Sequence, residues 1–490
     1  MERANTTRKL TTAIVLVAVV AVAAFSAYYF VIQPAGPCMP LGGAKMLKSK
    51  VTSTEFDALT EYSLPSPSRW SNAIAVAQDG SVWFGEQSVP GVAHLFLNGT
   101  LVEYAWPSAS HPSSKSCGFE TSIWGIAVWN GMIWGTDGDE NALVGINPST
   151  GAARVINVTG TAGFPYTLSI APDGSLWFTS LGKPATLGRV GLDYSVSAMH
   201  VNDVGSEFPA ELDFVNSSYA YMVVLNTVND TGHLYSFDPA AASPSINPQV
   251  VGGNYQLQAP NSVAVGGGTV WVSQHGPSSL AALDLRSGTW TVLPTTSQQS
   301  NITTLPYFVA YGTDRVWFNE HYGNRIGFID PTKQFMTEYS ESNPPITNAS
   351  EIGNDLTIAP APLGLWFTST TGNYIGFANA SYAPSFSVSM VGGDSASVSS
   401  GGQVGLNLTV GGSWKSALSV VLSDTETYTD IPASITMTPS ERLVPAASGL
   451  VQLQVEVSVG ASLKPGEYTL AVTLSDGLVL QTAFFYLDVS

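Results

Sequence analysis

Charge is what this sequence has least of. Charged residues make up 11% of 490, against roughly 25% in an average soluble protein. The basic sign is the scarcer, 18 residues against 36 acidic, for a net charge of −18. No uninterrupted basic run occurs beyond the first ten residues, so a nucleic-acid partner is not expected, because neutralising phosphates needs clustered Lys and Arg. Cysteine is nearly missing, with Cys38 and Cys117 alone. There is no Gly-Lys-Ser phosphate loop, no Gly-x-Ser-x-Gly elbow and no Cys-x-x-Cys pair, so none of the chemistries those motifs serve is indicated. Long amphipathic helical patterns are missing too. Present instead are 47 Gly, 30 Pro and 12 Trp in a chain that is 44% apolar. That composition can bury a core and points to a turn-rich, all-β chain. Its length suggests two or three domains.

Leu10 to Ile32 carries no charged residue. This stretch can span the roughly 30 Å hydrocarbon layer as a helix. Arg3, Arg8 and Lys9 precede it, and the positive-inside rule keeps them in the cytoplasm. The expected order is therefore a cytoplasmic tail (1–9), a transmembrane anchor (10–32), a linker (33–54) and extracellular domains. The alternative is a cleaved signal peptide, with Ala24-Phe25-Ser26-Ala27 as the cut site. Apolar character continues through Tyr28-Tyr29-Phe30-Val31-Ile32, which favours the single-pass anchor at the cell membrane. Small residues at Ala18, Ala21, Ala23 and Ala24 would let that helix pack closely on others.

Both cysteines lie beyond the anchor, where an oxidising compartment permits a Cys38–Cys117 disulfide. Asn-x-Ser/Thr acceptor patterns stand at Asn98, Asn157, Asn216, Asn229, Asn301, Asn348, Asn379 and Asn407. On an exported chain they suggest a glycoprotein of the cell surface, and an archaeal or eukaryotic source. Few charges and many Ser, Thr and Gly would also suit an acidic exterior.

One unit recurs through the middle of the chain: an apolar strand, a Gly-containing turn, a strand with a large aromatic residue, then further strands. The aromatic markers are Trp83, Trp134, Trp177, Tyr221, Trp271, Trp317 and Trp366, at spacings of 51, 43, 44, 50, 46 and 49. A period near 45 with three or four short strands is the signature of propeller blades. Thr337-Glu338-Tyr339-Ser340 closes the sixth unit, and the same tetrapeptide, Thr60-Glu61-Tyr62-Ser63, precedes the first. The seventh unit stops after Ile375-Gly376-Phe377, so residues near 55–64 should supply its outermost strand. That pairing closes the ring and removes an exposed edge.

Three segments carry a family resemblance: Ala171-Pro172-Asp173-Gly174-Ser175-Leu176-Trp177-Phe178-Thr179-Ser180, Val316-Trp317-Phe318-Asn319-Glu320, and Asn324-Arg325-Ile326-Gly327-Phe328-Ile329-Asp330. Residues of about 55–380 resemble the virginiamycin B (streptogramin) lyase family. The resemblance implies a seven-bladed propeller over residues 55–383 with histidines and glutamates around a divalent cation, Mg or Ca, at one mouth. The family places His after Pro at the start of an inner strand. The matching pairs here are Pro165-Tyr166, Pro209-Ala210, Pro260-Asn261 and Pro306-Tyr307, and none is His. A ring-opening elimination needs a base near the substrate. The remaining candidates follow the second strands: Glu320-His321, Gln274-His275 and Glu86-Gln87. Glu320 and His321 are the candidate catalytic pair. Glu86, His275, Glu320 and His321 are the candidate cation ligands, of which three or four would have to converge. The Trp-Phe pairs on second strands are expected to pack between blades.

After Ala383 the pattern changes to period-two alternation, as in Phe386-Ser387-Val388-Ser389-Met390 and Tyr468-Thr469-Leu470-Ala471-Val472-Thr473-Leu474. Residues 384–490 read as a β-sandwich. Pro465-Gly466-Glu467-Tyr468-Thr469 resembles a strand entry of immunoglobulin-like surface domains. The expected function is a membrane-anchored binding or structural module of the cell envelope, recognising a protein or glycan. Two alternatives stand beside it: a metal-dependent lyase or hydrolase at the propeller mouth, and an accessory subunit of a membrane complex.

Overall fold

The computed structural model describes residues 39–40, 44–65, 71–86, 91–105, 116–117, 123–138, 140–158, 163–202, 207–226, 228–241, 245–253, 255–296, 304–343, 355–370, 372–424, 435–438 and 442–490. All its regular elements are strands. No helix among the described residues is long and apolar enough to cross a membrane. The expected anchor at 10–32 lies outside them.

Each of the seven sequence units folds as an antiparallel sheet. In the third, Pro165–Ile170 pairs with Leu176–Ser180, then Thr186–Val190, then Val196–Val201. The innermost strands stand side by side in chain order, and that of the seventh unit, Asp355–Ala361, packs on that of the first, Ile74–Val76. A ring of radial sheets is a propeller. It closes as the repeated tetrapeptide implied: Leu59–Ser63 pairs with Tyr374–Asn379, with Tyr62 opposite Ile375 and Thr60 opposite Phe377.

Side chains tie the inner strands together. Thr167 and Ser169 donate to Ala210 O and Leu212 O of the fourth unit. Glu211 and Asp213 accept the Val263 and Val265 amides of the fifth, at 3.0 and 2.8 Å. Ser262 accepts the Val309 amide of the sixth.

Within a unit, local chemistry sets the turns. Asp79-Gly80-Ser81 and Asp173-Gly174-Ser175 join first strands to second. Gly80 and Gly174 each take φ +82°, a conformation that costs glycine nothing. Each aspartate accepts the amide and hydroxyl of its serine. The second-strand tryptophans are buried and reach across to the next sheet: Trp134 clusters with Phe178, Trp271 with Phe318, and Trp366 with Phe84. They are core, as expected from their position. Gly188 pairs opposite Phe178, whose ring lies 1.9 Å from where a Cβ would stand. Gly188→Val should therefore lower stability by about 1–3 kcal/mol through overpacking. The check is the urea midpoint; an unchanged midpoint would contradict this packing.

Two findings go beyond the sequence reading. Lys45–Lys50, inside the stretch read as linker, is a strand on the outer edge of the first sheet, paired with Thr100–Ala105. The C-terminal residues are also joined to the propeller. They form two sheets around one core. One holds Phe386–Met390, Gln403–Trp414, Ala447–Val459 and Ile435–Thr438. The other is built on Leu418–Asp424, Gly466–Ser475 and Val479–Val489, and its last strand pairs with Phe335–Ser340, the outer strand of the sixth unit. One nine-stranded sheet thus runs from the propeller axis into the C-terminal sandwich. Phe484 sits in a single cluster with Trp271, Phe318 and Met336. Gln481 donates to Thr337 Oγ1 at 2.9 Å, and the Tyr486 hydroxyl donates to Lys333 O at 3.0 Å.

Candidate functional site

Inner strands begin, and second strands end, at one mouth of the ring: Pro306 pairs with Glu320 and Pro260 with Gln274. The residue after each second strand turns back there by the same backbone bond. His275 N donates to Ala259 O at 3.0 Å, and His321 N donates to Leu305 O at 2.9 Å. The repeat thus carries two candidate histidines to equivalent places, and their ring centroids are 5.9 Å apart.

Tyrosines surround them. His321 stacks between Tyr307 at 5.1 Å and Tyr322 at 5.5 Å. Tyr307 also meets His275 edge-on at 5.3 Å. Its hydroxyl lies 3.1 Å from that of Tyr166, 141 residues earlier on the third unit. This bond spans from the third inner strand to the sixth. Trp124, half-buried, tilts against Tyr166 at 5.6 Å. Two of the four residues that follow proline at the start of an inner strand, Tyr166 and Tyr307, thus brace the mouth.

Burial sets the charge of this cluster. It pushes His275 down to about 3, helped by His321, so the imidazole is neutral near pH 7. It also raises Tyr166 and Tyr307 above the usual phenol range. The cluster therefore combines packed aromatic rings with a neutral His275 imidazole.

The acidic candidates are placed differently. Glu320 is fully buried beneath the turn and pairs with Arg325 Nη1 at 3.1 Å, which also donates to Thr296 O. Arg325 supplies at Glu320 the positive charge a divalent cation would bring. Glu86 ends the second strand of the first unit, separated from the sixth by the seventh. Among the described residues, no group of three or more His, Cys, Asp and Glu side chains is arranged to hold a metal ion. So the structure brings His275 and His321 together, commits Glu320 to Arg325, and leaves Glu86 elsewhere on the ring.

Sequence reasoning missed two acids on the fourth inner strand. Glu211 is largely buried and accepts from the Ser262 hydroxyl and the Val263 amide. Burial, opposed by those two bonds, raises it to about 8. Asp213 is raised by burial too. Two acids at alternate positions of an otherwise apolar strand were the available signal.

No family model matches the chain, and no curated protein matches it. Solved structures do share its fold. Virginiamycin B lyase from Staphylococcus aureus superposes with a TM-score of 0.52 at 17% identity, covering 66% of this chain and 98% of that one. A catalytically inactive histidine-to-alanine variant of that lyase, with quinupristin, gives 0.51 at 18% identity over the same shares. A streptogramin B lyase gives 0.49 at 17% identity, over 66% of this chain and 97% of that one. At such identities the likeness is one of fold. The repeat region of this chain has the propeller fold of virginiamycin B lyase.

Proposed function

We propose that the chain is a membrane-anchored binding module of the cell envelope: a seven-bladed propeller displayed outside the cell on the 10–32 anchor, with an immunoglobulin-like sandwich at 384–490. The observation that carries this reading is the mouth itself, where Tyr166 and Tyr307 are bonded across the ring and His275 and His321 are stacked among neutral aromatic groups. A mouth braced in this way, with Trp124 and His275 partly exposed, would recognise a protein side chain or a glycan by stacking and hydrogen bonds. The six acceptor asparagines within the described residues, Asn98, Asn157, Asn216, Asn229, Asn379 and Asn407, are all exposed, which supports a glycosylated exterior; Asn301 and Asn348 lie outside those residues. Residues 39–40 pair in parallel with 116–117, Pro40 opposite Cys117, which supports the Cys38–Cys117 bridge.

The second reading is a metal-dependent lyase or hydrolase. What favours it is the adjacency of His275 and His321, together with a buried His275 Nε2 that has no hydrogen-bond partner. Metal analysis of the full chain purified from its own membrane tests both readings. The binding reading expects the same divalent-metal content in wild type and Glu320→Gln. One bound cation per chain, lost in Glu320→Gln, would overturn it in favour of the enzyme.

A further inference from the structure

Among the described residues, the edge strand Lys45–Lys50 is hydrogen-bonded on one side only, to Thr100–Ala105. Its sequence, Lys-Met-Leu-Lys-Ser-Lys, puts three of the chain's 18 basic residues into six positions. All but Ser49 are exposed. Lys50 Nζ is turned back onto Asn98 O at 2.6 Å, which leaves Lys45 and Lys48 as the outward cations. Between them stand Met46 and Leu47, 46% and 41% exposed.

Lysines on an edge strand protect it from pairing with other strands. That role does not explain two adjacent exposed apolar side chains. Cations flanking apolar residues are the composition that binds an anionic membrane surface. Chain length supplies the second argument. Lys45 follows Ile32, the last residue of the apolar segment, by 13 positions, a reach of at most about 45 Å. A strand so tethered cannot stray far from the bilayer. In a chain of net charge −18, a lysine-bearing edge is also where repulsion from anionic headgroups reverses into attraction.

We infer that the Lys45–Lys50 edge docks on the anionic headgroups of the membrane that holds the anchor, with Met46 and Leu47 at headgroup depth. This rests on the anchor reading. Docking sets the outer edge of the first sheet against the bilayer, with side chains of both its faces in the headgroups, and so holds the propeller in one orientation instead of leaving it to swing on its tether.

The test uses the full chain in vesicles of phosphatidylcholine alone or with phosphatidylglycerol added. A membrane-impermeant acetylating reagent is applied, and lysine modification is read by mass spectrometry. Lys415 and Lys464, exposed on the sandwich, are internal references. Docking predicts that Lys45 and Lys48 react about tenfold more slowly in the anionic vesicles, with the references unchanged, and that added salt restores their reactivity. Equal labelling in both vesicles, with the chain floating alongside them, overturns the docking alone. A chain that floats with neither vesicle overturns the anchor reading and the docking that rests on it.

Discussion

Phe484→Ala is expected to destabilise the propeller and the sandwich together, by about 3–5 kcal/mol. Phe484 belongs to the last strand of the chain, yet its ring is buried with Trp271 of the fifth unit and Phe318 and Met336 of the sixth. Around it, Val479–Val489 completes the sixth sheet, so removing the ring leaves a cavity where two domains share one core. Calorimetry should show a single transition in wild type and a single, lower one in the variant. Two transitions, with only the C-terminal one shifted, would mean that the shared sheet carries little energy.

The second large effect is on pH. Glu211 and Glu338 are both raised to about 8, in each case chiefly by burial; at Glu338 the nearby Glu320 adds to the rise while Arg325 opposes it. Each therefore binds more proton folded than unfolded between about 4.5 and about 8. Their contribution falls as pH rises through that window. His94 and His275 act the other way. Burial lowers them to about 4 and about 3, so the unfolded chain takes up more proton below about 6.5, and stability is lost on acidification. The opposing trends offset each other below about pH 6.5 and leave the carboxyls alone above it. Stability should be nearly flat between about pH 5 and 6.5 and then drop by on the order of 2–4 kcal/mol by about pH 8.5. Glu211→Gln, which keeps the shape and stays neutral, should remove about half of that drop. Denaturant midpoints across the pH range measure it. A wild type that grows more stable from pH 6.5 to 8.5 would contradict these carboxyl environments.

The repeat was legible because each unit must bury a large aromatic residue, tryptophan in all but the fourth, where it is Tyr221; the spacing of Trp83 through Trp366 is that packing written in sequence. Ring closure was legible for a related reason: a strand missing after Phe377 left an edge that the duplicate of Thr337–Ser340 could fill. The junction with the sandwich was not. Phe335–Ser340 and Val479–Val489 read as ordinary alternating strands, and nothing in alternation names the partner of an outer edge. At the mouth, the repeat itself brought His275 and His321 to equivalent places. The Arg325 partner of Glu320 was not legible, because a motif position does not show which cation the next strand sets beside it. Glu211 and Asp213 escaped notice because a buried acid looks like a solvated one until its amide donors are known.

Crosslinking the native membrane, with the links mapped by mass spectrometry, tests the central claim most directly. A binding module predicts reproducible links from the propeller or sandwich to the same envelope or membrane-complex protein in repeated preparations. Links only within the chain, or none, would contradict it.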